Sequence, residues 1–172
     1  MKHRVQQAAI RAALIGLFLA AYVWIWRPAR DTIARHVMTP ALAQVETARA
    51  QQFRITSAER VVEVRRARSG AIVEAMDTPA GILFVIATVV LLAVVPKRPY
   101  WLAVGAYQMA LGAVMLGALA IGVGWAAWGF ELFRFLDEVF YRATSLAAPL
   151  VALAVHRRGS DGGRPTADRG SP

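Results

Sequence analysis

Four apolar blocks, each close to the roughly 20 residues a helix needs to cross the hydrocarbon core of a bilayer, constrain this chain more than any other feature. They run over about 8–26, 79–95, 101–124 and 132–155. Apolar residues gathered in such runs differ from the one-sided stripe of a helix that faces water. The fold this predicts is an all-α integral membrane protein with four transmembrane helices.

The first block follows a short basic stretch, 1–7, and ends Tyr22-Val23-Trp24-Ile25-Trp26-Arg27-Pro28. A cleaved signal peptide ends in small residues, so this bulky aromatic end reads as an uncleaved anchor. The second block stops at Pro96-Lys97-Arg98-Pro99, inside a connecting loop over 96–100. After the third block comes a short connection, 125–131. The fourth is free of charge only from Ala143 to Val155, too short to span, so its helix begins near Leu132 and carries charges in its outer part.

The formal charge is +9. It does not indicate nucleic acid, because the basic residues flank apolar blocks or lie in a Gly-rich tail instead of clustering on one domain face. Short loops rich in Lys and Arg stay on the cytoplasmic side. That rule places Lys2, Arg4, Arg11, Lys97, Arg98, Arg157 and Arg158 inside, and both ends of the chain with them. Trp24, Trp26, Trp101, Trp125 and Trp128 then fall at the membrane interfaces, where such rings are enriched. The expected location is a membrane crossed several times with both ends cytoplasmic, and membrane lipid is the first partner. The absence of cysteine removes disulfides, thiolate nucleophiles and Cys-based metal sites.

The outer segment, 27–78, holds nine arginines and six acidic residues and too few large apolar side chains for a core of its own. Thr39-Pro40 reads as a helix start, with a short helix from Pro40 to about Gln52. Further on, 60–65 and 71–75 flank Ala67-Arg68-Ser69-Gly70 and read as a β-hairpin, with a second helix as the competing reading. The tail over 156–172 has no large apolar residue and reads as disordered.

Two features carry functional readings. Ala103, Ala106, Ala110, Ala113, Gly117, Ala120 and Gly124 recur at alternating spacings of three and four, a small-residue ridge of the kind that lets membrane helices approach closely. Packing within this chain is the preferred role, with a partner helix as the other. Glu131, Arg134, Glu138 and Arg142 share one face of the fourth helix, with Asp137 beside them. Ionisable groups in a membrane segment usually face protein or water, which makes this face a candidate partner contact. The plainer reading is intrahelical pairing, Glu131 with Arg134 and Glu138 with Arg142. Gln108 is suited to hydrogen bonding across helices.

Chemistry has little support. His3, His36 and His156 are dispersed, no Gly-rich phosphate loop is present, and Ser57, Ser69 and Ser145 lack nearby bases. No catalytic, cofactor or metal residues are assigned. In layout, an anchor, an outer segment and three close helices, with Trp26-Arg27-Pro28-Ala29-Arg30 and Met76-Asp77-Thr78-Pro79-Ala80-Gly81-Ile82-Leu83 at corresponding places, the chain resembles the small exosortase-associated membrane proteins of bacteria. That resemblance implies a bacterial inner membrane as the location and a non-catalytic accessory role beside an exosortase, a membrane cysteine transpeptidase that sorts proteins. The rivals are a small transporter or channel component acting as a homo-oligomer, a membrane enzyme using Glu131, Asp137 or Glu138, and a ligand sensor.

Overall fold

The structure, a computed structural model, describes residues 2–47, 52–95 and 99–143, with helical pieces at 147, 149–151 and 153–154. The loop residues 96–98, the tail over 156–172 and part of the fourth apolar block lie outside the described residues. Four helices and three strands make up the described fold: α1 (His3–Glu46), β1 (Phe53–Ala58), β2 (Val61–Arg66), β3 (Ile72–Asp77), α2 (Ile82–Val94), α3 (Tyr100–Gly124) and α4 (Trp128–Phe135), which continues into a wide π turn over Leu136–Tyr141.

This corrects the all-α, four-span expectation in two respects. A three-stranded antiparallel sheet, ordered β1-β2-β3, stands between α1 and α2. Only α1 and α3 among the described residues are long and apolar enough to cross a membrane; α2, at 13 residues, falls short. At 1.5 Å per residue α2 covers about 20 Å, against a hydrocarbon core of about 30 Å.

The first helix does not end at Trp26. It runs 44 residues without a break, through both Pro28 and Pro40. Proline lacks an N–H and collides with the carbonyl four residues earlier, which normally breaks a helix. Here a π turn precedes each proline, Tyr22–Trp26 and Ala34–Met38. In each, the next amide reaches five residues back, Arg27 N–H to the Tyr22 carbonyl and Thr39 N–H to the Ala34 carbonyl. The Thr39 hydroxyl adds a second bond to Ala34 O at 2.8 Å. The widened turn absorbs the clash and the helix continues.

The π turns also set the helix face. Tyr22, Trp26, Arg30, Ala34, Met38, Leu42 and Glu46 recur every four residues, and all are buried or half-buried. In a regular α-helix such a series drifts about 40° per step. Each π turn inserts one residue and returns about 100°, so two of them hold the series on one side.

Ala34, Met38 and Leu42 from this face pack with Val62, Val64 and Met76 of the sheet, with Leu111, Met115 and Leu119 of α3, and with Phe130 and Phe133 of α4. The sheet has the alternation expected of strands with one covered face: Val62 and Val64 point inward, and Glu63 and Arg65 pair with each other at its rim. The expected hairpin is its second half, Val62 opposite Met76 and Val64 opposite Glu74, with a bulge at Val64/Arg65. Gly70 closes that turn at φ +68°, where a side chain would be strained.

A second cluster joins Ala80, Phe84, Ala87 and Leu91 to Val104, with Phe18 and Trp26 against it. Two hydrogen bonds bracket the α1–α2 pair. Trp26 Nε1 donates to Ala80 O at 3.1 Å, and Arg11 Nη1 donates to Ala93 O at 2.8 Å. The two helices are therefore antiparallel along an apolar stratum from Arg11 to Trp26, about 22 Å deep by helix rise.

Candidate functional site

Of the side chains that open the four-residue series, Trp26 and Arg30 meet the stretch joining β3 to α2, and Tyr22 meets Arg30. Arg30 is 3% exposed. Its Nη2 lies 2.8 Å from Asp77 Oδ1 and donates to the Thr78 carbonyl at 2.7 Å, while Nη1 donates to the Tyr22 hydroxyl at 3.2 Å. The backbone tightens around it: Ala80 stands at φ +56°, and a Cβ on Gly81 would come within 3.0 Å of Arg30 Nη2 and 3.1 Å of Asp77 Oδ2. A larger residue there would make the guanidinium and the Asp77 carboxylate give way by a few tenths of an ångström. Arg30 Nε and the Thr78 hydroxyl are buried without a protein partner.

Tyr141, from the π turn after α4, extends this node. The Gly81 amide donates to its oxygen, and its hydroxyl donates to Gln108 Oε1 at 3.3 Å. Gln108 is fully buried on α3, so the cross-helix hydrogen bond read from the sequence is present in the structure, with Tyr141 as its partner. The connected polar groups thus tie α1, the end of the sheet, α2, α3 and the turn after α4 to one another.

Beside the node is a hollow of about 410 Å³ lined by Ala75, Asp77, Leu83, Asp137, Tyr141 and Arg142. Burial pushes the Asp137 carboxyl above the usual range; Arg142 pulls it down, and Glu138 and Asp77 push it up. This hollow joins part of the sequence-predicted charged face to Asp77.

The structure divides that face. Arg134 turns to the sheet, its Nε 2.6 Å from Glu74 Oε1, and keeps a longer contact of 3.5 Å with Glu131. Arg142 pairs with Asp137 at 3.9 Å, five residues back, and not with Glu138 as the regular helical spacing suggested. The π turn between them explains this, because a wider turn brings i and i+5 closer together. Glu131, Glu138 and Arg142 are exposed.

The small-residue ridge is placed differently from its preferred reading. Ala103, Ala106, Ala110, Ala113 and Gly117 are exposed, Ala120 is half-buried, and only Gly124 is buried, against Val45. The internal face of α3 runs instead through Val104, Gln108, Leu111, Met115, Leu119 and Gly122. Both faces of this helix are apolar and rich in small residues, so spacing alone does not choose between them.

Sequence reasoning also missed Arg30, Glu74, Asp77 and Thr78. Arg30 had a signal, since Tyr22, Trp26 and Arg30 stand exactly one step of four apart in an otherwise apolar neighbourhood. Glu74 had a weaker one: it stands two residues from Met76, on the same face of β3.

Glu74 sits on the covered face of the sheet, and burial raises its carboxyl above the usual range, Arg134 opposing this and Glu131 and Asp137 adding to it. A carboxylate with a raised folded-state pKa binds its proton more tightly when folded. Stability from Glu74 is therefore greatest at low pH, and falls as pH rises from the ordinary glutamate value of about 4.3 through the raised one. Arg134→Ala leaves Glu74 buried without its cation and is expected to destabilise by about 1–3 kcal/mol at neutral pH. Adding Glu74→Gln is expected to restore most of the loss, as read by thermal unfolding of the two variants in detergent at pH 5 and pH 7.5.

Among the described residues, no three His, Asp or Glu side chains gather as a metal site. The chain matches no protein-family model, and no curated protein or solved structure is significantly similar to it.

Proposed function

We propose that this protein is a non-catalytic accessory of a bacterial envelope complex. It is held in the inner membrane by α1 and α3, and it docks a second membrane protein through the exposed charges of α4 and the turn that follows. One contrast supports this reading. Along α1 the apolar side chains are uncovered, Leu17 and Ile25 at 70% and Trp24 at 81% exposure, while the other half of the same helix buries Ala34, Met38 and Leu42 in the sheet core. A bare apolar half joined to a packed half suits a helix that leaves lipid and enters a small folded head.

On that head, Glu131 is 74% and Arg142 68% exposed, beside the hollow at Asp77 and Asp137. Exposed charges around a concavity serve selectivity and encounter rate more than raw affinity. An exosortase-type sorting protein is the partner class that the resemblance in layout supplies.

A photoreactive residue in place of Arg142, with a control in place of Glu59 at the β1–β2 turn, tests this in native membranes. The expected result is an adduct to a different membrane protein from position 142 and none from position 59. Adducts only between copies of the chain would move the reading to a homo-oligomer, as a transporter component requires. Equal adducts from both positions would remove the docking face.

A further inference from the structure

We infer that the groove between α1 and α3, floored by α2, holds one acyl chain of an anionic phospholipid. The inference rests on the membrane placement proposed above and adds a ligand to it. The cleft measures about 510 Å³, with Leu14, Phe18 and Ile25 on one wall, Phe84 on the floor, and Gly105 and Met109 on the other wall. Gly105 keeps it open: a Cβ there would come within 3.3 Å of the Phe84 ring. An apolar cleft open at the level of the acyl chains is filled by them, since water gains nothing there.

Length and charge identify the occupant. From Leu14 to Ile25 the wall rises about 16 Å, close to half of the roughly 30 Å hydrocarbon core, the depth of a single leaflet. Below Leu14 the same face of α1 continues to Arg11, three residues earlier, and to Arg4, seven residues before that. Arg11 binds the Ala93 carbonyl at 2.8 Å, which fixes its guanidinium at the lower mouth, next to Leu92 in the groove lining. Arg11 at the lower mouth and Arg4 further down the same face match a phosphate headgroup below its own acyl chain. A zwitterionic lipid offers them less.

The full chain reconstituted in phosphatidylcholine vesicles, with a trace of phosphatidylglycerol carrying a photoactivatable acyl chain, gives the test. Adducts are expected on Phe18, Phe84 and Met109, well above those on Leu19 and Val23, which lie on the same lipid-exposed stretch of α1 outside the groove. Leu17→Trp, at an exposed rim position, and Met109→Trp each fill the groove and are expected to lower these adducts about tenfold, the effect of excluding two methylenes. Arg11→Gln is expected to reduce the preference for phosphatidylglycerol over a phosphatidylcholine probe about fivefold. Even labelling of groove and non-groove positions overturns the inference, as do groove adducts that both Trp variants leave unchanged, or a second copy crosslinked through the groove. Flotation of the protein with the vesicles, scored in the same samples, separates that failure from a failure of the membrane placement itself.

Discussion

Arg30→Ala is expected to destabilise the protein by about 3 kcal/mol, the largest effect of any single polar substitution in the chain. The side chain is 3% exposed and serves the Tyr22 hydroxyl on its own helix together with a carbonyl and a carboxylate at the β3–α2 junction. Removing it orphans the Thr78 carbonyl and detaches α1 from the junction of β3 and α2. Asp77, its charged partner, is 59% exposed, so water screens much of the ion pair itself. The loss then comes mainly from the unmade hydrogen bonds and the emptied volume. Arg30→Lys keeps the charge but not the fork of donors and is expected to recover less than half. Denaturant titration in mixed micelles measures both; equal stability of Arg30→Ala and the parent protein would show that the node does not hold the fold together.

Gly129→Val is expected to be more severe at the other end of the core, at about 3 kcal/mol or more, with loss of the α3–α4 contact. A Cβ at Gly129 would collide with the backbone amide of Gly122 and lie 2.7 Å from the Ala118 carbonyl. Both obstacles are backbone atoms of α3, and no rotamer relieves them. Gly122 is closed from the other side by the Phe130 ring, 2.8 Å from its own would-be Cβ. A backbone-to-backbone crossing of this kind is what small residues supply in membrane helices. Gly117→Val, on the exposed ridge with nothing within 4 Å of its would-be Cβ, serves as the matched control and is expected to leave unfolding unchanged.

These two sites show what could be read from the sequence and what could not. The apolar ends of α1 and α3 were legible because lipid-length runs stand out without tertiary context. The hairpin was legible from Val62, Val64 and the Ser69-Gly70 turn. Beyond these, each error traces to a rule that tertiary structure overrode. Pro28 reads as the close of the first apolar block and Thr39-Pro40 as a new helix start, yet π turns ahead of each proline carry the helix through, so one 44-residue helix replaces an anchor and a separate short helix. The same π turns hid the buried face, because a four-residue series looks out of phase with a 3.6-residue helix. β1 was missed because Arg54, Thr56 and Ser57 dilute its apolar signal, and it gains its place by pairing with β2. In α3 the ridge at Ala103–Gly124 and the true packing face at Gly112 and Gly122 look alike, and the choice between them is made by Pro79 and Phe130, which press on the latter pair.

The proposed placement puts α1 and α3 in the bilayer, with the sheet and its charged neighbours on the outer side. The chain has no cysteine, so single introduced thiols report without background. In intact cells, Ser69→Cys in the β2–β3 turn is expected to react with a membrane-impermeant maleimide, and His3→Cys at the start of α1 only after permeabilisation. Equal labelling of both thiols before permeabilisation, or recovery of the protein in the soluble fraction, would contradict that placement.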